Sequence, residues 1–170
     1  MLKNTITYQN VLWILAISLC ASLQTSVWPH FFSIPAPQLW LICIFFLCRT
    51  KSSQELIFFV PLSSLFLSQF TSFPTVGIFV ALAVACGVLV AVRDNSYLTS
   101  RWQIFWAIFL FSFGLEGLFS ALDLVMYRSI LVSNFFEKIF QSALTSFFGI
   151  WLLPILERAH HPQQFDAQYE

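Results

Sequence analysis

The chain has 170 residues, of which 58% are hydrophobic and 9% are charged, and its formal net charge is zero. Soluble domains carry roughly 25% charged residues, so this chain has too few to cover the surface of a soluble protein. The zero net charge gives no bulk positive bias toward nucleic acid, and the length predicts a single domain. Residues 4–48 and 56–92 contain no Lys, Arg, Asp or Glu, which predicts an integral membrane protein.

A hydrocarbon core about 30 Å thick requires about 20 apolar residues per helix, so the chain has room for roughly six spans. The first apolar run is predicted to end at the Trp28–Pro29 pair, because Pro stops a helix and Trp favours the membrane surface. We interpret this run as a retained span, since it offers only a weak signal-peptide cleavage site. The second run is short, so its helix begins earlier, is tilted or packs inside the bundle. Pro61 predicts a kink in the third.

The predicted fold is therefore all-α, with six transmembrane helices in one compact bundle over residues 1–158 and a cytoplasmic tail at 159–170. The predicted spans are residues 11–27, 36–48, 54–71, 75–92, 102–127 and 139–156.

Basic residues predict the orientation of such a bundle, since they favour the cytoplasmic side. The loops on one side collect Lys3, Arg49, Lys51, Arg93, Arg101 and Arg158. The loops on the opposite side collect Arg128 and Lys138. This bias predicts that both termini are cytoplasmic, with a polar connector between the fifth and sixth spans on the outer side.

No sequence pattern predicts an enzyme, a cofactor or a metal site. The chain contains no HExxH motif, no GxSxG motif and no Gly-rich phosphate loop. Cys20, Cys43, Cys48 and Cys86 lie in apolar runs without a CxxC or His/Cys ligand spacing. This arrangement favours buried thiols that behave as small hydrophobic groups over a disulfide or a metal site.

Two acidic residues, Glu116 and Asp123, lie inside the fifth predicted span at a spacing that puts them on one helix face. A carboxylate inside a membrane costs at least about 2.5 kcal/mol on insertion scales, so it must face the bundle interior, a partner or water. Small residues surround the pair, and they let another backbone approach closely: Ser112, Gly114, Gly117, Ser120 and Ala121.

The candidate hydrogen-bond partners of Glu116 lie on two other spans. They are Gln141, Ser142 and Thr145 on the sixth span, or Ser68 and Gln69 on the third. Three interpretations stay open: an internal clamp between helices, a contact with another protein, and a proton, cation or substrate site. A proton relay requires a chain of titratable groups, and we find no His, Lys or Arg at a matching depth, which argues against a pump.

Several local patterns resemble the rod-shape-determining membrane protein family MreD, whose members are six-span proteins of this size. The patterns are LCASLQTSVWP at 19–29, IPAPQLWLICIFFLC at 34–48, FPTVGIF at 73–79, the acidic fifth span, and GIWLLPILERAHH at 149–161. One feature departs from the family. Its third span often has the form GxxxGxxxD, whereas this chain has Ser63 and Ser64 in place of glycines and Gln69 in place of the acid. If that acid has a function in the family, it is lost here or has passed to Gln69.

The resemblance implies a non-enzymatic component of the bacterial cell-wall elongation complex, in the inner membrane. Its implied partners are a single-span MreC-type protein with a large periplasmic region, an actin-like cytoskeletal protein and wall-synthesis enzymes, together with membrane lipid. It also implies a likeness to the transmembrane substrate-binding subunits of energy-coupling-factor transporters. An alternative function is therefore a small-molecule-binding transporter subunit, with a site lined by Trp28, Asp123 and the 30–37 loop.

Overall fold

A computed structural model describes residues 8–70, 74–95, 100–127 and 135–160 of the chain. These residues form helices joined by short connections, and no β-strand occurs among them. The helices are α1 (Tyr8–Ser22), α2 (Trp28–Phe31), α3 (Leu39–Thr50), α4 (Ser53–Leu67), α5 (Thr75–Asn95), α6 (Arg101–Tyr127) and α7 (Phe135–His160).

The sequence predicts that the first helical run ends at the Trp28–Pro29 pair. In the structure it continues past this pair. A π-helical turn, Leu23–Val27, joins α1 to the short α2, and the Trp28 backbone N–H donates to the Leu23 carbonyl oxygen. Pro29 falls in the first turn of α2, the part of a helix in which proline is best tolerated. The helical run therefore continues to Phe31 before the chain becomes extended.

The centre of the bundle is α3, a helix of 12 residues. Its residues 40–48 are all buried, and it contacts α1, α4, α5, α6 and α7. A helix that is hydrophobic on every side is stable only when it is surrounded. At a rise of 1.5 Å per residue it is about 18 Å long, which is shorter than a hydrocarbon core of about 30 Å. Of the three explanations for the short second span, packing inside the bundle is therefore confirmed.

Among the residues that the structure describes, four helical runs are long and apolar enough to cross a membrane: Val11–Phe31, Thr75–Arg93, Arg101–Leu122 and Phe135–Arg158. The helices α3 and α4 are shorter. Large apolar side chains such as Leu19, Leu110 and Val125 are exposed on the outside of the bundle, as expected where lipid rather than water is the solvent. The structure thus supports an all-helical membrane protein, and the count of six spans stays a prediction.

Polar contacts gather where α3 ends. The Arg93 guanidinium donates to the carbonyl oxygens of Cys48 at 2.9 Å and Lys51 at 2.7 Å. Arg49 forms an ion pair with Glu157 at 3.0 Å. These contacts bring the last turns of α3, α5 and α7 to one end of the bundle, here called the basic end. Three of the basic residues predicted to share a membrane side thus lie together, while the assignment of that side to the cytoplasm stays a prediction.

Replacing Arg93 by glutamine is expected to lower the free energy of unfolding by about 2 kcal/mol, because the last carbonyl groups of α3 lose charge-assisted hydrogen bonds. The loosened helix end should also expose Cys48, which is 2% accessible, to a maleimide reagent. The measurement is the rate of Cys48 labelling in detergent. Arg101→Gln, at an exposed position that begins α6, is the control. Equal labelling of both variants would show that Arg93 does not hold the end of α3.

Candidate functional site

A buried polar network surrounds Gln38, which precedes α3 directly. The segment before it contains Pro35 and Pro37, which favour extended backbone. Gln38 is 3% exposed. Its amide Nε2 donates to the Oε1 of Glu116, its Oε1 accepts from the Ser112 hydroxyl at 2.7 Å, and its backbone N–H donates to the Thr145 hydroxyl at 2.9 Å. Every polar group of this side chain that faces α6 is thus paired, as a buried amide requires.

Glu116 also contacts Lys138, near the start of α7. The Lys138 ammonium lies 3.9 Å from the second carboxylate oxygen of Glu116, and it donates to the Ser120 hydroxyl. Ser120 in turn donates to the Glu116 backbone carbonyl oxygen at 2.8 Å. The side chains of Glu116 and Lys138 are 20% and 21% exposed, so this ion pair lies at the edge of the bundle rather than in its centre.

The helix α7 binds the same segment from the other side. The Gln141 amide donates to the Ala36 carbonyl oxygen at 2.8 Å, and the Thr145 hydroxyl donates to the Gln141 carbonyl oxygen at 2.7 Å. The Ser142 hydroxyl is buried without a hydrogen-bond partner in the described part of the chain. Residues 36–38 are therefore held to both α6 and α7, so that three parts of the chain meet at one polar site.

The predicted partners of Glu116 are wrong, since its carboxylate contacts Gln38 and Lys138 instead. Gln141 and Thr145 belong to the network, but they bond to the 36–38 segment instead of the Glu116 carboxylate. Ser68 and Gln69 do not belong to it. The Ser68 hydroxyl donates to the Leu65 carbonyl oxygen, and Gln69 is exposed in the turn after α4. The helix α4 packs on α1, α3 and α5, which keeps these two residues on another side of the bundle.

Two residues of the network, Gln38 and Lys138, were missed by sequence analysis. The prediction that no Lys lies at the depth of Glu116 is wrong. The helix α7 begins at Phe135 rather than near residue 139, so Lys138 lies on the helix, and its long, flexible stem lets its ammonium reach Glu116. A sequence signal for Gln38 does exist, because it is an amide directly before a charge-free apolar run. The side chain of Asp123, on α6, lies outside the described residues.

Glycines on α6 and α7 face different surroundings. Gly114 and Gly117 are exposed, and a Cβ built on either would have no atom within 4 Å. Gly149 on α7, in contrast, lies against α6, where an added Cβ would overlap the Cδ1 of Ile108. Gly149 therefore permits α7 to approach Ile108 of α6 closely, while the glycines of α6 are on the exposed side of that helix.

Trp28 and the segment that follows it fold back on each other. The Trp28 indole N–H donates to the Ile34 carbonyl oxygen at 3.1 Å, and its ring meets Phe148 of α7 edge-to-face at 6.3 Å. The one polar atom of this indole is thus used within the chain. Within the described residues, no three His, Cys, Asp or Glu side chains form a group that would hold a metal ion, and Cys20, Cys43, Cys48 and Cys86 are free thiols.

Comparisons with protein-family models, with curated proteins and with solved structures found no match to this chain. The geometry of the chain itself therefore supplies the argument for its function.

Proposed function

We propose that this chain is a non-enzymatic membrane component that binds the transmembrane helix of a single-span partner protein. The observation that carries the proposal is the outward position of Gly114 and Gly117 in the middle of the 27-residue α6. Each glycine inside a helix costs about 1 kcal/mol relative to alanine. Neither residue makes a close contact with another helix in the described part of the chain, so that part gains no packing in exchange for this cost.

A partner helix packed against α6 would account for these outward-facing glycines. Helices in lipid associate through close packing, because no hydrophobic force drives them together, and small residues permit the closest approach. Gly114, Gly117 and Ala121 share one face of α6 by their spacing, and all three are exposed. We call these three residues the small-residue face.

The buried network supports this proposal by holding the face in place. Gln38 and Glu116 join α6 to the segment before α3, and Lys138 joins the same carboxylate to α7. A binding surface on a fixed helix loses less conformational entropy when a partner docks than one on a mobile helix. Of the three interpretations of Glu116, this proposal uses the internal clamp, which would position the contact surface on α6.

The resemblance to MreD supports a more specific form of the proposal. The partner would be an MreC-type single-span protein in the bacterial cell-wall elongation complex, where this chain helps to position peptidoglycan synthesis. The chain would lie in the inner membrane with six spans and both termini in the cytoplasm. The Arg49, Lys51 and Arg93 end would then be the cytoplasmic one.

The test is capture of partners from gently solubilised, cross-linked membranes with the tagged full chain, identified by mass spectrometry. We expect a single-span protein with a periplasmic coiled coil, together with wall-synthesis enzymes. Gly117→Leu should lower its recovery about tenfold, which corresponds to about 1.4 kcal/mol of helix packing. Val88→Phe is the control, because it adds bulk at an exposed position of α5, away from the small-residue face.

Two results would contradict the proposal. Undiminished recovery of the partner by Gly117→Leu, at the yield of the unchanged protein, would rule out the small-residue face as the interface. Recovery of an ATPase pair with its coupling subunit would identify a small-molecule-binding transporter subunit instead.

A further inference from the structure

An apolar groove of about 300 Å³ runs between α4 and α5 on the outside of the bundle. Its walls include Ile57 and Val60 of α4 and Phe79, Gly87 and Val90 of α5, all without a polar side-chain atom. Ile57 is 68% exposed and Phe79 39%, so the groove faces the lipid. This volume is far above the roughly 10–15 Å³ that a single water molecule requires.

The groove adjoins a second, much smaller pocket of about 10 Å³ on its inner side. Leu56, Val60 and Cys86 line both, and the inner pocket also contacts Ile44 and Leu47 of the central α3. A helix with its side chains is about 10–12 Å wide and cannot enter a space that reaches between two helices in direct contact. A thin, flexible hydrocarbon chain can enter it.

The length and position of the groove match one half of a bilayer. From Phe79 to Val90 the helix rises about 16 Å, which is about half of a hydrocarbon core of about 30 Å. The groove ends three residues before Arg93 and directly after Glu55, so its mouth lies at the basic end of the bundle. A transmembrane partner helix would be expected to contact a surface along the whole bilayer rather than half of it.

The charges at the mouth are mainly positive. Lys51 and Arg93 lie at this end of the bundle, next to the residues that line the groove. The Lys51 side chain is 9% exposed, and its ammonium lies 3.7 Å from the Glu55 carboxylate, the one carboxylate among the described side chains next to the groove. The Arg93 guanidinium faces the carbonyl groups at the end of α3. A phosphate group at the level of the headgroups would meet an excess of positive charge at this point.

We propose that this groove binds one acyl chain of an anionic phospholipid from the leaflet at the basic end, with the headgroup phosphate beside Lys51 and Arg93. The shape of the groove selects a hydrocarbon chain, its length selects one leaflet, and the charge at its mouth selects an anionic headgroup. This inference does not rest on the proposed partner function, which uses a different face on α6.

The first test is native mass spectrometry of the full chain in mild detergent with added phosphatidylglycerol. We expect one tightly retained phosphatidylglycerol per chain. Gly87→Leu should lower the retained fraction about tenfold, because its side chain fills the groove, whereas a Cβ at this position meets no atom within 4 Å and the fold is preserved. Ala83→Phe, at an exposed position lining the same groove, should act in the same way.

The matched control is Gly117→Leu, which introduces leucine at another exposed glycine with no atom within 4 Å of its Cβ. It should retain the lipid like the unchanged chain. Equal loss or equal retention of phosphatidylglycerol in the Gly87 and Gly117 variants would overturn the proposal. A third result would overturn the proposal in favour of a partner helix. In that result the unchanged chain captures a protein instead of lipid, and only Gly87→Leu loses that protein.

The second test concerns the headgroup. The preference of the chain for phosphatidylglycerol over phosphatidylcholine should fall about fivefold in Lys51→Gln, since one basic residue near an anionic surface contributes this much. Arg101→Gln removes a charge from the start of α6 and should leave the preference unchanged. A preference that is the same in Lys51→Gln and the unchanged chain would refute the role of the mouth.

Discussion

Replacing Gly149 by leucine is expected to lower the free energy of unfolding in detergent by about 3 kcal/mol, the upper part of the range for overpacked cores. Gly149 of α7 lies against α6, and even a Cβ there would overlap the Cδ1 of Ile108. Ile108 is 0% exposed, so the small space that its flexible end can yield does not admit a whole leucine side chain. The two helices would have to separate, which would also strain the polar network beside them. SDS titration followed by tryptophan fluorescence measures this change.

A series of variants distinguishes a steric clash with Ile108 from the effect of adding a side chain to any helical glycine. Gly149→Ala should cost less than leucine, because the flexible end of Ile108 can turn aside and alanine favours the helix. Combining Gly149→Ala with Ile108→Val removes the overlapping Cδ1 and should recover most of the remaining loss. Gly117→Leu, with open space around it, should leave stability unchanged. A Gly149→Leu protein as stable as the Gly117 variant would show that α6 and α7 do not meet at this glycine.

Replacing Gln38 by leucine is expected to cost about 2–3 kcal/mol of stability. The change removes two side-chain hydrogen bonds, and it leaves a carboxylate oxygen of Glu116 and the Ser112 hydroxyl without this partner. Interhelical hydrogen bonds in membranes contribute about 0.6 to 1.7 kcal/mol each, and an unsatisfied buried group adds to the loss. The unfolding measurement described for Gly149 applies here as well.

A double-mutant cycle between Gln38 and Glu116 tests whether the two residues act as a unit. Glu116→Leu alone should also destabilise the chain, since it leaves Gln38 and Lys138 without their shared partner. The double variant should lose less stability than the sum of the single variants, by about 0.5–3 kcal/mol. Gln69→Leu, exposed and outside the network, is the control and should change stability little. Additive losses would mean that the Gln38–Glu116 contact does not hold the helices together.

The two sets of variants address how the small-residue face of α6 is held. Gly149 sets the distance between α6 and α7, and the Gln38 network ties both helices to the segment before α3. Loss of either contact is expected to disturb the position of Gly114 and Gly117. Variants at Gly149 and Gln38 should therefore weaken partner capture indirectly and together with stability. Gly117→Leu is expected to weaken capture without loss of stability, which distinguishes the interface itself from its support.

The sequence alone determined the helical membrane character of this protein and the grouping of its basic residues. Both are properties of composition and of order along the chain. A protein with 9% charged residues has no means of covering a soluble surface, whatever its tertiary structure. In the same way, apolar runs separated by basic loops force the ends of antiparallel helices to alternate. The grouping of Arg49, Lys51 and Arg93 at one end therefore follows from chain order and does not depend on how the helices pack.

Tertiary structure alone decided which residues meet and which side of each helix faces outward. Gln38 and Glu116 are 78 positions apart, and no local pattern encodes their contact, because it depends on how the extended 36–38 segment enters the bundle. Glycine likewise indicates that a close approach is possible but carries no direction. Packing against Ile108 turned Gly149 inward, while the same packing turned Gly114 and Gly117 of α6 toward the membrane.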